Sequence, residues 1–292
     1  VVMFSTTDAS YFLRAARVFG DGDTFNEFMA KRHFPNAARA AEAEPYDDHI
    51  REFPLLSVVI SKLAEDNTIR ALSDAAHWLI LVTAGLTAIA IAVAFGATGY
   101  WLEGCVAAIG GGLSTSYLVR SSAGRIDTDQ LNLGFVYLLL GLSVMAARAR
   151  DWRLSLALCL GVSGFAYLFM WWYDRPPFVI LIALSLAWLI MVVRRNIFLA
   201  LAAPLMVLGI SGVTPFNPLD SAYLQTSILE GGFILPNTYE TITEISQVSL
   251  ATLLTQTSGS VEMGVIGVLG LGLWAIRHPV LAIAYGPVAV FG

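Results

Sequence analysis

Five uncharged apolar runs, each 18–20 residues long, follow one another between Trp78 and Val213. They are Trp78–Ala97, Gln130–Ala147, Leu154–Tyr173, Pro176–Val193 and Asn196–Val213. A helix crosses the hydrocarbon layer with about 20 mostly apolar residues, so each run predicts a membrane span. Tyr100–Val119, with Glu103 near one end, and Met263–Ile276, after Glu262, add two more. The last run, Pro279–Gly292, has 14 residues and is too short to cross. Only 13% of the 292 residues are charged and 57% are hydrophobic. This excludes a soluble globular domain and a disordered chain. A formal net charge of −5 speaks against a nucleic-acid partner. The expected fold is an all-α polytopic membrane protein.

The loops set the orientation. Arg148, Arg150 and Arg153 share one loop, Arg194 and Arg195 the next alternate one, and Arg277 a third. Threading the spans in order puts all three on one side, which the positive-inside rule makes cytoplasmic. Arg175, beside Asp174, is the exception. The outer side then receives the segment before Asp74, the turn around Arg120–Asp129 and the stretch Thr214–Ser260, which has acids but no Lys or Arg. Two regions follow: a first outer loop over residues 1–76, and a multi-span domain over 77–292 that includes the outer loop 214–260. Within the first region, Asn36–Glu44 predicts an exposed helix and Phe53–Leu63 an amphipathic one for the membrane interface. Gly110-Gly111-Gly112 reads as part of a span, because no strand precedes it as a phosphate loop requires. Cys105 and Cys159 sit in apolar runs and imply neither a disulfide framework nor a zinc site. Trp101, Trp152, Trp171 and Trp172 fall at span ends, as an aromatic belt requires, and His77 and His278 are expected to be interfacial. The chain opens at Val1-Val2-Met3-Phe4 without a signal-like region, so both ends are expected to be truncated.

This topology gathers acids on the outer face: Asp8, the pair Asp127 and Asp129 opening a span, and Glu244. Carboxylates beside a bilayer are costly unless paired or bound to a cation. Two aspartates at i and i+2 do not share a helix face, but in the extended turn before a helix both can point the same way. Four such groups suit an oxygen-ligated Mg²⁺ or Mn²⁺. Read singly, each is equally an N-cap or a solvated loop acid.

The same segments resemble, in order, the catalytic subunit of oligosaccharyltransferase in its bacterial and archaeal single-subunit form, the enzyme of asparagine-linked glycosylation. Thr7-Asp8-Ala-Ser-Tyr-Phe12 is similar to the first-loop aspartate motif. Arg120-Ser-Ser-Ala-Gly-Arg-Ile-Asp127-Thr-Asp129 is similar to the second acidic motif, with its upstream arginine. Trp171-Trp172-Tyr173 closes a span as in bacterial members. Thr241-Ile242-Thr243-Glu244 matches Thr-Ile-x-Glu, and Thr257-Ser-Gly-Ser260 follows. The resemblance leaves out most of Gly20–Tyr46. It implies a helical membrane domain of the GT-C class and a plasma- or inner-membrane enzyme with its active site on the outer face. It also implies transfer of an oligosaccharide from a lipid-linked pyrophosphate to Asn in an Asn-x-Ser/Thr polypeptide. Asp8 and Glu244 would hold the acceptor amide; Asp8, Asp127, Asp129 and Glu244 would hold Mn²⁺ or Mg²⁺. Arg120 would face the donor pyrophosphate or orient the carboxylates, and Thr241, Ile242 and Gln256 would lie on the acceptor-peptide loop.

The sequence also departs from the family. Gln256 stands where bacterial members carry an arginine that reads an acid two residues before the acceptor Asn. Two fewer spans precede the outer loop. The Trp-Trp-Asp motif of the soluble domain is absent, so the chain alone is expected to be inactive. A GT-C enzyme with a hydroxyl acceptor is the alternative, to be recognised by glycosylated Ser, Thr or sugar. A transporter would need ionisable residues in mid-span, and these spans have almost none.

Overall fold

A computed structural model describes residues 7–24, 53–112, 126–173, 176–213 and 250–291. Among these residues there are helices and no strand. They are α1 (Thr7–Gly20), α2 (Leu55–Leu63), α3 (Ile69–Thr98), α4 (Trp101–Gly112), α5 (Asp129–Arg148), α6 (Trp152–Trp172), α7 (Pro176–Leu189), α8 (Ile197–Ser211), α9 (Leu250–Ser258), α10 (Val261–Arg277) and α11 (Pro279–Phe291). One π-helical turn, Ile190–Arg194, extends α7. Two compact units are drawn from Val1–Leu86 with Arg120–Asn132, and from Thr87–Val119 with Leu133–Gly292.

Among the described residues, three helices are long and apolar enough to cross a membrane: Ile69–Thr98, Gln130–Arg148 and Trp152–Trp172. Phe178–Arg194 and Ile197–Ser211 are apolar but shorter. At about 1.5 Å per residue such lengths fall short of a hydrocarbon core of about 30 Å. They end where the sequence forces it. Arg195 takes a left-handed conformation at φ 55°, and the Asn196 side chain accepts from Leu199 N–H to cap α8. Helix α3 starts at Ile69, so the boundary drawn at residue 76 falls inside it. Its start is chemically marked: the Asp66 carboxylate accepts from Thr68 N–H at 2.9 Å, and Thr68 Oγ1 accepts from Ala71 N–H at 3.3 Å. The Thr68 hydroxyl and N–H hold the Asp66 carboxyl below the usual carboxylate range.

Apolar side chains point outward as well as inward, as they do where lipid is the solvent. Trp78, Leu102, Leu273 and Ile276 are each at least 70% exposed. Trp101 and Trp152 are exposed too, as an aromatic belt needs. Trp172 departs from that expectation. It is buried against Phe135, ring centroids 6.3 Å apart, because it continues the inward stripe Val162, Ala166, Phe169 of α6.

Helix contacts in the second unit use small residues and hydroxyls, the pattern expected when burial of apolar surface drives nothing. A Cβ added to Gly141 would lie 2.9 Å from Ala94 Cα, so α5 and α3 touch backbone to backbone. Ser155 donates to Ala146 carbonyl at 2.8 Å across the α5–α6 turn, and Ser185 of α7 donates to Ala284 carbonyl of α11 at 2.6 Å. Helix α3 closes with Tyr100 N–H on Phe95 carbonyl and Gly99 N–H on Gly96 carbonyl, with Gly99 at φ 96°. This paired closure needs a left-handed residue, hence glycine. The expected helix Asn36–Glu44 and most of the outer loop 214–260 lie outside the described residues. Gly110–Gly112 ends α4, and the rest of the expected span Tyr100–Val119 lies outside the described residues.

Gly141→Ala should destabilise the fold by about 1–3 kcal/mol, because the obstruction is backbone and cannot rotate away. Gly161→Ala, with open space around it, should not. Thermal unfolding in detergent, followed by circular dichroism, compares the two.

Candidate functional site

The backbone of Asp8 lies in the first turn of α1. The helix is fixed by its apolar face: Ala9, Phe12, Leu13, Ala15 and Ala16 are buried. Against it stand Phe53 and α2, with Phe19 edge-on to Phe53 at 5.4 Å and Lys62 over the Phe19 ring. Phe53–Leu63, expected at a membrane interface, thus lends Phe53, Leu56 and Ile60 to a protein core.

The C-terminal end of α1 is held by one side chain from the turn before α3. Asn67 Nδ2 donates to Arg17 carbonyl at 2.8 Å and to Asp21 Oδ1 at 2.5 Å. The approach is close: a Cβ on Gly20 would meet Asn67 Oδ1 at 2.4 Å. Asn67 was not singled out by the sequence; only a polar residue among the turn formers Asp66-Asn67-Thr68 hinted at it.

Asp127 sits two residues before α5, half-buried between the buried residues Ile126 and Thr128. Its Oδ1 accepts from Thr128 N–H at 2.7 Å. With α5 beginning at Asp129, the cap position is Thr128, and Asp127 lies one residue outside the helix. A backbone N–H on one oxygen orients the carboxylate. The described structure thus gives the two aspartates different settings, turn and first helical residue. The side chains of Asp8, Asp129 and Gln256 are outside the description, although their backbones lie on α1, α5 and α9. Arg120, Thr241, Ile242 and Glu244 lie outside the described residues. Among the described residues no group of three His, Cys, Asp or Glu forms a metal site.

Thr257-Ser-Gly-Ser260 has a clear structural part. Ser258 ends α9, Gly259 turns the chain at φ 84°, and Ser260 accepts from Met263 N–H at 3.2 Å to cap α10. A Cβ on Gly264 would meet Leu254 Cβ at 2.7 Å, so α9 and α10 form a tight hairpin.

At one end of the second unit the turns carrying arginine meet. Arg148 donates to Ala97 carbonyl at 2.8 Å, and Arg194 donates to Ala149 carbonyl. Tyr100 Oη and His278 Nε2 are hydrogen-bonded at 2.6 Å, so His278 joins two helix corners beyond its expected interfacial place. The loops around residues 98, 149, 195 and 278, which threading puts on one side, are therefore neighbours.

Asn67→Ala should cost about 1–2 kcal/mol through two lost hydrogen bonds. Hydrogen exchange should quicken in α1 and stay unchanged in α6.

The family model "Oligosaccharyl transferase STT3, N-terminal" matches residues 51–276, more than three quarters of the chain. Asp127, Asp129 and Glu244 fall inside the match, and Asp8 precedes it. Neither a curated protein nor a solved structure matches. With its all-helical fold and apolar spans, the chain is an integral membrane protein that belongs to the oligosaccharyl transferase STT3 family.

Proposed function

We propose that this protein transfers an oligosaccharide from a lipid-linked pyrophosphate to the side-chain amide of Asn in Asn-x-Ser/Thr polypeptides, on the outer face of the membrane. The observation that carries the reading is the family match across the acidic motif that opens α5 and the Thr-Ile-x-Glu segment. The amide nitrogen is a poor nucleophile because its lone pair is delocalised into the carbonyl. Carboxylates at Asp8 and Glu244, accepting from the two amide N–H groups, favour a twisted amide whose lone pair is freed. The new C–N bond forms at the anomeric carbon as the bond to the pyrophosphate oxygen breaks; the pyrophosphate leaves on its lipid and the amide nitrogen gives up one proton.

Asp8, Asp127, Asp129 and Glu244 would hold the divalent ion. Their all-oxygen donor set fits Mg²⁺ or Mn²⁺, and Asp127 is already oriented by the Thr128 N–H. The ion supplies charge neutralisation and positioning around the departing pyrophosphate. Arg120 is proposed to assist there, where a guanidinium can take two phosphate oxygens. The meeting of the arginine turns at one end supports the orientation, since the acids belong to loops of the other side.

In the full-length protein, Asp8→Ala, Asp127→Ala or Glu244→Ala should each lower transfer to a fluorescent Asn-x-Thr peptide by at least about 100-fold. Glu103→Gln, at an exposed position on α4, should leave it unchanged. Normal turnover in the three variants would remove the site assignment. Chelation by EDTA should stop the reaction and added Mn²⁺ or Mg²⁺ restore it. Gln256 brings no positive charge to the acceptor loop, so peptides with Asp or Ala two residues before Asn should be used at similar rates. Gln256→Arg should introduce a preference for Asp.

A further inference from the structure

The arginine turns border an open depression of about 740 Å³ between the α5–α6 turn and the start of α8. Arg148, Arg150, Arg194 and Arg195 line it, and no acidic residue does. Among the described residues no carboxylate pairs with any of the four. Two of the guanidiniums are tied by one hydrogen bond each, Arg148 to Ala97 carbonyl and Arg194 to Ala149 carbonyl. A guanidinium has five N–H donors, so most of the donor capacity faces the depression unspent. The backbone is shaped to this end. A π-helical turn runs into Arg195 at φ 55°, and together they bring two consecutive arginines to the wall.

The other wall is apolar. Ile197 and Phe198, at the start of α8, line the same depression and are 50% and 84% exposed. A free anion has no use for such a wall; a lipid, with phosphate and acyl chain joined, uses both. From the convergence of four arginines without a carboxylate partner beside exposed Ile197 and Phe198, we infer that this depression binds the phosphate of an anionic phospholipid. Its acyl chains run along α8. Basic pockets between membrane helices on the positive-inside face are suited to such headgroups. The site shares no residue with the acidic motifs and does not rest on the transfer reaction.

The test is native mass spectrometry of the full-length protein, delipidated and offered phosphatidylglycerol or phosphatidylcholine. Phosphatidylglycerol should be retained about tenfold better or more. Arg150→Gln combined with Arg195→Asn, which keeps a residue tolerant of the left-handed backbone, should abolish the difference. Millimolar inorganic phosphate should not displace the lipid. Thermal unfolding shows whether the double variant is folded; if it is not, Arg150→Gln alone, at an exposed position, should weaken the preference in the same direction. Equal retention of the two lipids, an undiminished preference in the folded variant, or displacement by inorganic phosphate would each overturn the assignment.

Discussion

In hydrocarbon a buried leucine gains little over one that faces lipid, so these helices cannot be held together by apolar burial alone. They are held by fit and by hydrogen bonds that have no water to compete with. The backbone contact of Gly141 with Ala94 and the hydroxyl bonds of Ser155 and Ser185 to carbonyls of neighbouring helices are the visible form of that constraint. Exposed Trp78, Leu273 and Ile276 are its counterpart on the outside. The first unit differs. There α1 and α2 bury an aromatic core around Phe19 and Phe53, as in a water-soluble hairpin, and Asn67 pins the helix that carries Asp8.

Polar chemistry collects at helix ends because only there can a carboxylate or guanidinium reach partners outside the bilayer. Asp127 lies just before α5, Ser260 caps α10, and Arg148 and Arg194 close their helices against neighbouring turns. One end of the second unit is basic and carries no acid on the wall of its depression. The acidic motifs belong to loops that threading places on the opposite face.

Much of this was readable from residues. The apolar runs gave α3, α5 and α6, and alternate arginine loops gave neighbours that the structure brings together. Residues that act by contact were not readable. Trp172 looks interfacial by position, yet it faces Phe135, because which side of a span is inward depends on its partner helix. Asn67 reads as a turn former until α1 is placed beside it. The π-turn before Arg195 leaves no periodic signal, since it adds only a slight widening to an apolar run. The acidic residues read as an ordered series of motifs, of which the described residues reach Asp127 and the backbones of Asp8 and Asp129.

The central claim is that the acceptor is an amide nitrogen. The most direct measurement is tandem mass spectrometry of a peptide incubated with the full-length protein and a lipid-linked oligosaccharide. The account predicts the glycan mass on Asn of an Asn-x-Thr peptide, and none on the matched Gln-x-Thr peptide. A glycan carried on the Thr hydroxyl, or equal modification of both peptides, would contradict it.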